Sequence, residues 1–103
     1  MKIAVTSQNR KTVTEHAGMC RNFWVYDTGD KAIISKVLLE LTKEESFRET
    51  DPDMQHKLDV VDVLITSGMG YGLKKRLNAK GIETVLTDIK SPDAAVEQYL
   101  HIT

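Results

Sequence analysis

Six consecutive residues, His16-Ala17-Gly18-Met19-Cys20-Arg21, put an imidazole, a thioether, a thiol and a guanidinium into one short stretch of chain. Imidazole and thiolate ligate iron, copper or zinc. A neighbouring guanidinium either lowers a thiol pKa or balances the charge of an anionic ligand. A metal-bearing anion would use all of these groups together, with His16 and Cys20 as metal ligands and Gly18 and Arg21 beside them. The plainer alternative is that Cys20 fills apolar space, Met19 joins the core and Arg21 is solvated. Protein-bound iron–sulfur clusters usually take four cysteines. A chain with one cysteine offers only partial, labile coordination, which suits a carrier better than an electron-transfer protein.

A second stretch, Ser67-Gly68-Met69-Gly70-Tyr71-Gly72, lies between a strand pattern and a helix pattern. Its glycines let backbone approach a ligand closely, and amides at the start of a helix favour an anion. Gly68, Met69 and Gly70 are therefore candidate ligand contacts. The run lacks the Gly-Lys-Ser/Thr ending of a P-loop and the spacing of a dinucleotide fingerprint, so a tight turn with close strand–helix packing stands as the alternative reading.

The remaining polar residues define no second centre. His56 and His101 have no neighbouring ligands and are expected at the surface. Trp24 and Tyr26 alternate on a strand and are expected to pack, while Lys74, Lys75 and Arg76 read as the wet side of a helix. Glu44, Glu45, Glu49, Asp51 and Asp53 are scattered through one charged segment without forming a catalytic pair, and no Ser/His/Asp order stands out. A net charge of −1 over 103 residues gives no global field for nucleic acid or an anionic membrane. No apolar stretch approaches the roughly 20 residues that span a bilayer. A lone cysteine fits a reducing, cytoplasmic setting.

Positioning these two stretches requires a sheet. Lys2–Thr6 (KIAVT) and residues 59–66 (DVVDVLIT) are continuous apolar runs, the mark of strands buried on both faces with parallel neighbours. Residues 8–20 show no helical period and read as a long, ordered loop. Residues 23–27 (FWVYD) and 32–41 (AIISKVLLEL) are β-rich, and Thr28-Gly29-Asp30 between them predicts an antiparallel hairpin. Asp51-Pro52 offers a cap followed by proline, predicting a short helix to about Leu58. Leu73 and Leu77 give an amphipathic helix stopped by Gly81, residues 82–87 (IETVLT) a last strand, and Ser91-Pro92 a closing helix that packs Ala95, Val96, Tyr99 and Leu100 inward. The pattern predicts one α/β domain over residues 1–103, with a mixed five-stranded sheet and helices on its faces. If the first and fourth strands are adjacent and parallel, the two chemistry-bearing loops leave the same edge, where open α/β sheets bind ligands.

In this order and spacing the chain resembles the dinitrogenase iron–molybdenum cofactor biosynthesis family, the NifX/NafY-type domain also found at the end of NifB proteins. The resemblance covers nearly the whole chain. It rests on Met1-Lys2-Ile3-Ala4-Val5, on His16-Ala17-Gly18 where the family commonly has His-Phe-Gly, on residues 23–27, on residues 60–70 leading into Gly68-Met69-Gly70, on Gly81-Ile82 and on the closing helix. It implies a ribonuclease-H-like fold and transient, non-covalent binding of iron–sulfur or molybdenum-containing clusters during assembly or transfer. His16 is then the cluster-contact histidine and residues 68–70 the glycine loop. Ala17 departs from the usual aromatic, removing bulk beside the histidine. A nuclease reading fails, because the first strand carries no acidic residue.

The expected function is thus a non-catalytic carrier of an anionic metal cluster, working with cluster-assembly or acceptor proteins. Two other classes stay open on sequence. One is a small enzyme acting on a phosphorylated metabolite, with Cys20 as nucleophile. The other is a regulatory module whose ligand is another protein.

Overall fold

The computed structural model describes residues 1–102. Five strands form one mixed sheet in the order β3-β2-β1-β4-β5: β1 Lys2–Thr6, β2 Asn22–Gly29, β3 Ala32–Glu40, β4 Val63–Thr66 and β5 Glu83–Leu86. Strands β1, β4 and β5 run parallel, while β2 and β3 are antiparallel to their neighbours. Helices α1, Tyr71–Ala79, and α2, Pro92–Ile102, complete the fold.

The continuous apolar runs are explained by burial on both faces. In β1, Ile3 and Val5 face a cluster with Tyr26, Val63, Ile65, Val96 and Leu100, whereas Ala4 faces Phe23, Leu64, Leu77 and Ile82. Alternate residues of β4 divide the same way, as the two-residue period of a strand requires. Each large aliphatic side chain so buried contributes about 1.5–3 kcal/mol. Tyr26 locks α2 onto the sheet: its hydroxyl donates to Asp93 Oδ1 at 2.6 Å, and Lys36 Nζ meets the same oxygen at 2.8 Å. Burial and that carboxylate push the Tyr26 phenol far up, so it stays a donor.

Three sequence expectations need correction. The hairpin turn is centred on Asp30-Lys31, both at positive φ (52° and 62°), one residue beyond the position expected; the twist of a two-residue hairpin demands such a pair whether or not glycine supplies it. The helix expected from Pro52 does not form. The Asp51 carboxylate instead accepts from the Asp53 amide at 2.8 Å, a local turn bond, and the apolar side chain of Met54 is left 64% exposed. Residues 42–60 form a strap of short 3-10 turns, the last at Lys57–Val60, so β4 begins at Val63 rather than Asp59. Third, His56 is buried, not superficial. Its ring stacks on Phe47 with centroids 4.3 Å apart, its Nδ1 accepts from the Leu58 amide at 3.0 Å and its Nε2 lies 2.6 Å from the Glu45 carbonyl oxygen.

Candidate functional site

Strands β1 and β4 are parallel neighbours, Val5 opposite Ile65, so the loops that follow them leave the same edge of the sheet. Several bonds fix the loops together. The hydroxyls of Thr6 and Thr66, both fully buried, converge on the Thr14 carbonyl oxygen at 2.6 and 3.1 Å. The Ser67 amide donates to the same carbonyl at 3.2 Å, and the Ala17 amide donates to the Gly68 carbonyl at 3.1 Å. Gly68 suits this approach: a Cβ there would sit 3.2 Å from Glu15 Cβ, a contact tight enough that the Glu15 loop would have to give by a few tenths of an ångström.

His16 takes the left-handed conformation, φ 56°, which histidine adopts more readily than most residues. The chain then closes a single turn, with the Met19 and Cys20 amides donating to the His16 carbonyl at 2.9 and 3.1 Å. The imidazole is left outside, 74% exposed, with Nε2 3.3 Å from Glu15 Oε1. Together the loops line an open hollow of about 410 Å³ bounded by Glu15, His16, Ala17, Gly18, Met19, Gly68, Met69 and Gly70. Helix α1 starts at its rim. No side chain caps Gly70 and the first turn holds no acidic residue, so the first-turn amides and the positive end of the helix dipole are available to an anion.

Of the residues expected at the site, His16, Gly18, Gly68, Met69 and Gly70 come together around this hollow. Cys20 and Arg21 do not. The Cys20 thiol is 3% exposed and donates to the Asn22 carbonyl at 3.1 Å; burial pushes it up from the ordinary thiol range. It lines an adjoining hollow that shares Glu15, His16 and Met19. Arg21 turns the other way, its Nε donating to the Leu41 carbonyl at 3.2 Å beside a separate polar hollow of about 490 Å³ with Arg10 and Glu40. That hollow is slightly larger, but it lies away from the glycine loop. Among the described residues no three His, Cys, Asp or Glu side chains converge to hold a metal ion. A metal here would have to arrive with most of its own ligands.

One neighbour of the site was not legible in the sequence, and the place of a second was readable only in part. Arg76, expected to be solvated, donates from Nη1 to the Phe47 and Thr50 carbonyls at 2.7 and 3.2 Å and from Nη2 to Thr50 Oγ1 at 2.9 Å. Through it, α1 holds the strap, and the strap's Arg48 amide donates to the Gly18 carbonyl at 2.8 Å. Both links cross more than 25 residues of sequence, where no local pattern reaches. Met19 is 57% exposed at the mouth; its place beside His16 marks it for the site, but only the structure distinguishes it from core.

The sequence model of one family, described as dinitrogenase iron-molybdenum cofactor, matches residues 1–101. The chain belongs to the dinitrogenase iron-molybdenum cofactor family. Its relatives by sequence model are associated with biosynthesis of that cofactor. No curated protein matches the sequence. Among solved structures, PH0822 superposes with a TM-score of 0.79 at 18% identity, covering 100% of this chain and 93% of that one. A Methanocaldococcus jannaschii protein provisionally described as a dinitrogenase gives 0.72 at 16% identity, with 98% and 88% covered. A Thermotoga protein provisionally described as NifB gives 0.66 at 17% identity, with 97% and 87% covered. At these identities the likeness establishes the mixed five-stranded fold, and the family match carries the association with the cofactor. Among the described residues no helix is long and apolar enough to cross a membrane.

Proposed function

We propose that this domain is a non-catalytic carrier that holds an anionic iron–sulfur or molybdenum-containing cluster transiently while it passes between cluster-assembly and acceptor proteins in the cytoplasm. The observation that carries this reading is the hollow at the shared edge of β1 and β4, which an exposed imidazole and a glycine loop line together and at whose rim α1 begins without a side-chain cap. A cluster brings its own sulfide ligands. It therefore needs from the protein only one or two donors and a set of N–H groups matched to negative charge. His16 supplies the donor, residues 68–70 and the start of α1 the amides, and Gly18 and Met19 the opposite wall. Cys20 and Arg21 were part of the expected contact set; the buried, hydrogen-bonded thiol and the diverging guanidinium favour a cargo that touches neither.

The same thiol weighs against a nucleophilic enzyme, since attack requires an accessible thiolate. Anaerobic incubation with ferrous iron, molybdate and sulfide is the test. The protein is expected to acquire a visible absorption band that falls severalfold in His16→Ala and in Gly68→Val, with the far-ultraviolet spectrum of each variant confirming that it folds. A band of equal intensity in both folded variants would remove the hollow as the binding site.

A further inference from the structure

His56 is the one histidine of three that the fold buries, and it stands apart from the hollow around His16. Both of its ring nitrogens are occupied. Nδ1 accepts from the buried Leu58 amide at 3.0 Å and so carries no proton, which places the ring's single hydrogen on Nε2, 2.6 Å from the Glu45 carbonyl oxygen. In that tautomer the side chain caps the Lys57–Val60 turn and ties it back to Glu45, the last residue of the Lys43–Glu45 turn. The face of the ring stacks on Phe47, which opens the turn between them. One neutral imidazole therefore joins all three short turns of the strap.

A second proton does not fit this arrangement. It would enter at Nδ1 and set an N–H against the Leu58 N–H, leaving a buried amide without its acceptor. The Glu45 carbonyl accepts from either form of the ring, and the surrounding charges do not offset the loss. Asp59 favours the cation, but its carboxylate already accepts from the His56 amide at 2.9 Å and from Lys80 Nζ at 2.9 and 3.1 Å. The Glu45 carboxylate is engaged by Lys57 at 2.8 Å and by the Thr42 amide at 2.9 Å. Arg76 and Lys80 repel a charged ring, and burial disfavours it further.

We propose that His56 is an acid-sensitive latch: neutral, it holds residues 45–58 closed, and on protonation it releases them, loosening the bond from the Arg48 amide to the Gly18 carbonyl, 2.8 Å, that backs one wall of the hollow. The segment suits local release, being built of short 3-10 turns with residues 51–55 exposed. The sign follows from the open strap binding the proton more readily than the closed one. Closure is favoured in full above the ordinary histidine value of about 6.5 and loses that advantage as pH falls toward the lower value of the closed form. The latch acts on the wall of the hollow whatever the hollow holds.

The test uses metal-free protein, so that its outcome is independent of cluster binding. Amide exchange, corrected for its intrinsic pH dependence, is followed beside the nitrogen-15 shifts of the His56 ring. The Arg48, Thr50 and Leu58 amides are expected to open more readily than those of β1 at every pH, and their opening to rise roughly tenfold from about pH 7 to about pH 5, in step with the ring's titration. At the upper pH the ring shifts should show hydrogen on Nε2. In His56→Asn, whose side-chain oxygen caps a turn but does not titrate, the rise should be absent. The inference is overturned in the unaltered protein by a ring hydrogen on Nδ1, by strap opening no more frequent than that of β1, or by a rise out of step with the ring, and in the folded variant by a rise of equal size.

Discussion

Cys20 and His16 lie four residues apart and end in opposite environments. The thiol is drawn into the α1-side core, where desolvation opposes thiolate formation, while the imidazole is held outside by a left-handed backbone. Alkylation of Cys20 is accordingly expected to be slow in folded protein and to rise only at a pH above the ordinary thiol range of about 8.5, approaching normal rates in urea. Rapid labelling of the folded protein near neutral pH would show that the thiol is accessible and reopen it as a ligand. The types of these residues were readable from the sequence, but burial was not, because the turn that inverts them depends on the positive φ of His16. Gly68 was legible as a residue needing freedom; the neighbour that needs it, Glu15, came only with the fold.

Among the elements, β1, the apolar half of β4 and the closing helix α2 followed from the sequence, since two-sided burial and an apolar stripe at helical spacing (Ala95, Val96, Tyr99 and Leu100) leave strong local marks. The strap did not. Its stability comes from contacts to residues distant in sequence, and the proline signal at Pro52 is the same for a turn and for a helix. Two backbone positions give direct checks. Asp30-Lys31→Asn-Gly is expected to stabilise the hairpin by about 1 kcal/mol by relieving two left-handed residues, and Gly81→Ala, at φ 80°, to destabilise the end of α1 by about 1 kcal/mol. Denaturant midpoints that move in the opposite directions would refute the turn assignments. Arg76→Leu is expected to free residues 47–51 and to show as faster amide exchange there, most directly at Arg48, whose amide donates to the Gly18 carbonyl, with the exchange of β1 unchanged. Unaltered exchange in the strap would mean that Arg76 does not hold it.

For the molecule as a whole, His56 couples stability to pH. Desolvation lowers its folded pKa, with Arg76 and Lys80 adding repulsion and Asp59 and the Glu45 carbonyl opposing it. The unfolded ring binds protons first as pH falls. The stability contributed by neutral His56 is therefore present above about 6.5 and lost as pH drops through its lower folded value. Between about pH 7 and pH 5 the urea midpoint should decline, and the decline should shrink in His56→Gln; an equal decline in that variant would assign the effect elsewhere. Glu45 acts lower: bonded to Lys57 and to the Thr42 amide, its carboxyl is pulled down to about 2. Its contribution is lost only as pH falls from about 4.5 toward that value.

The carrier reading stands on the hollow where the loops after β1 and β4 meet, and titration of nitrogen-15-labelled protein with tetrathiomolybdate, a small anion of molybdenum and sulfur, tests it most directly. The amides of Gly18, Gly68, Gly70 and the first turn of α1 should shift together and saturate, with the His16 ring signals following. Shifts concentrated at the Arg10 and Arg21 hollow, or none at residues 68–72, would contradict it.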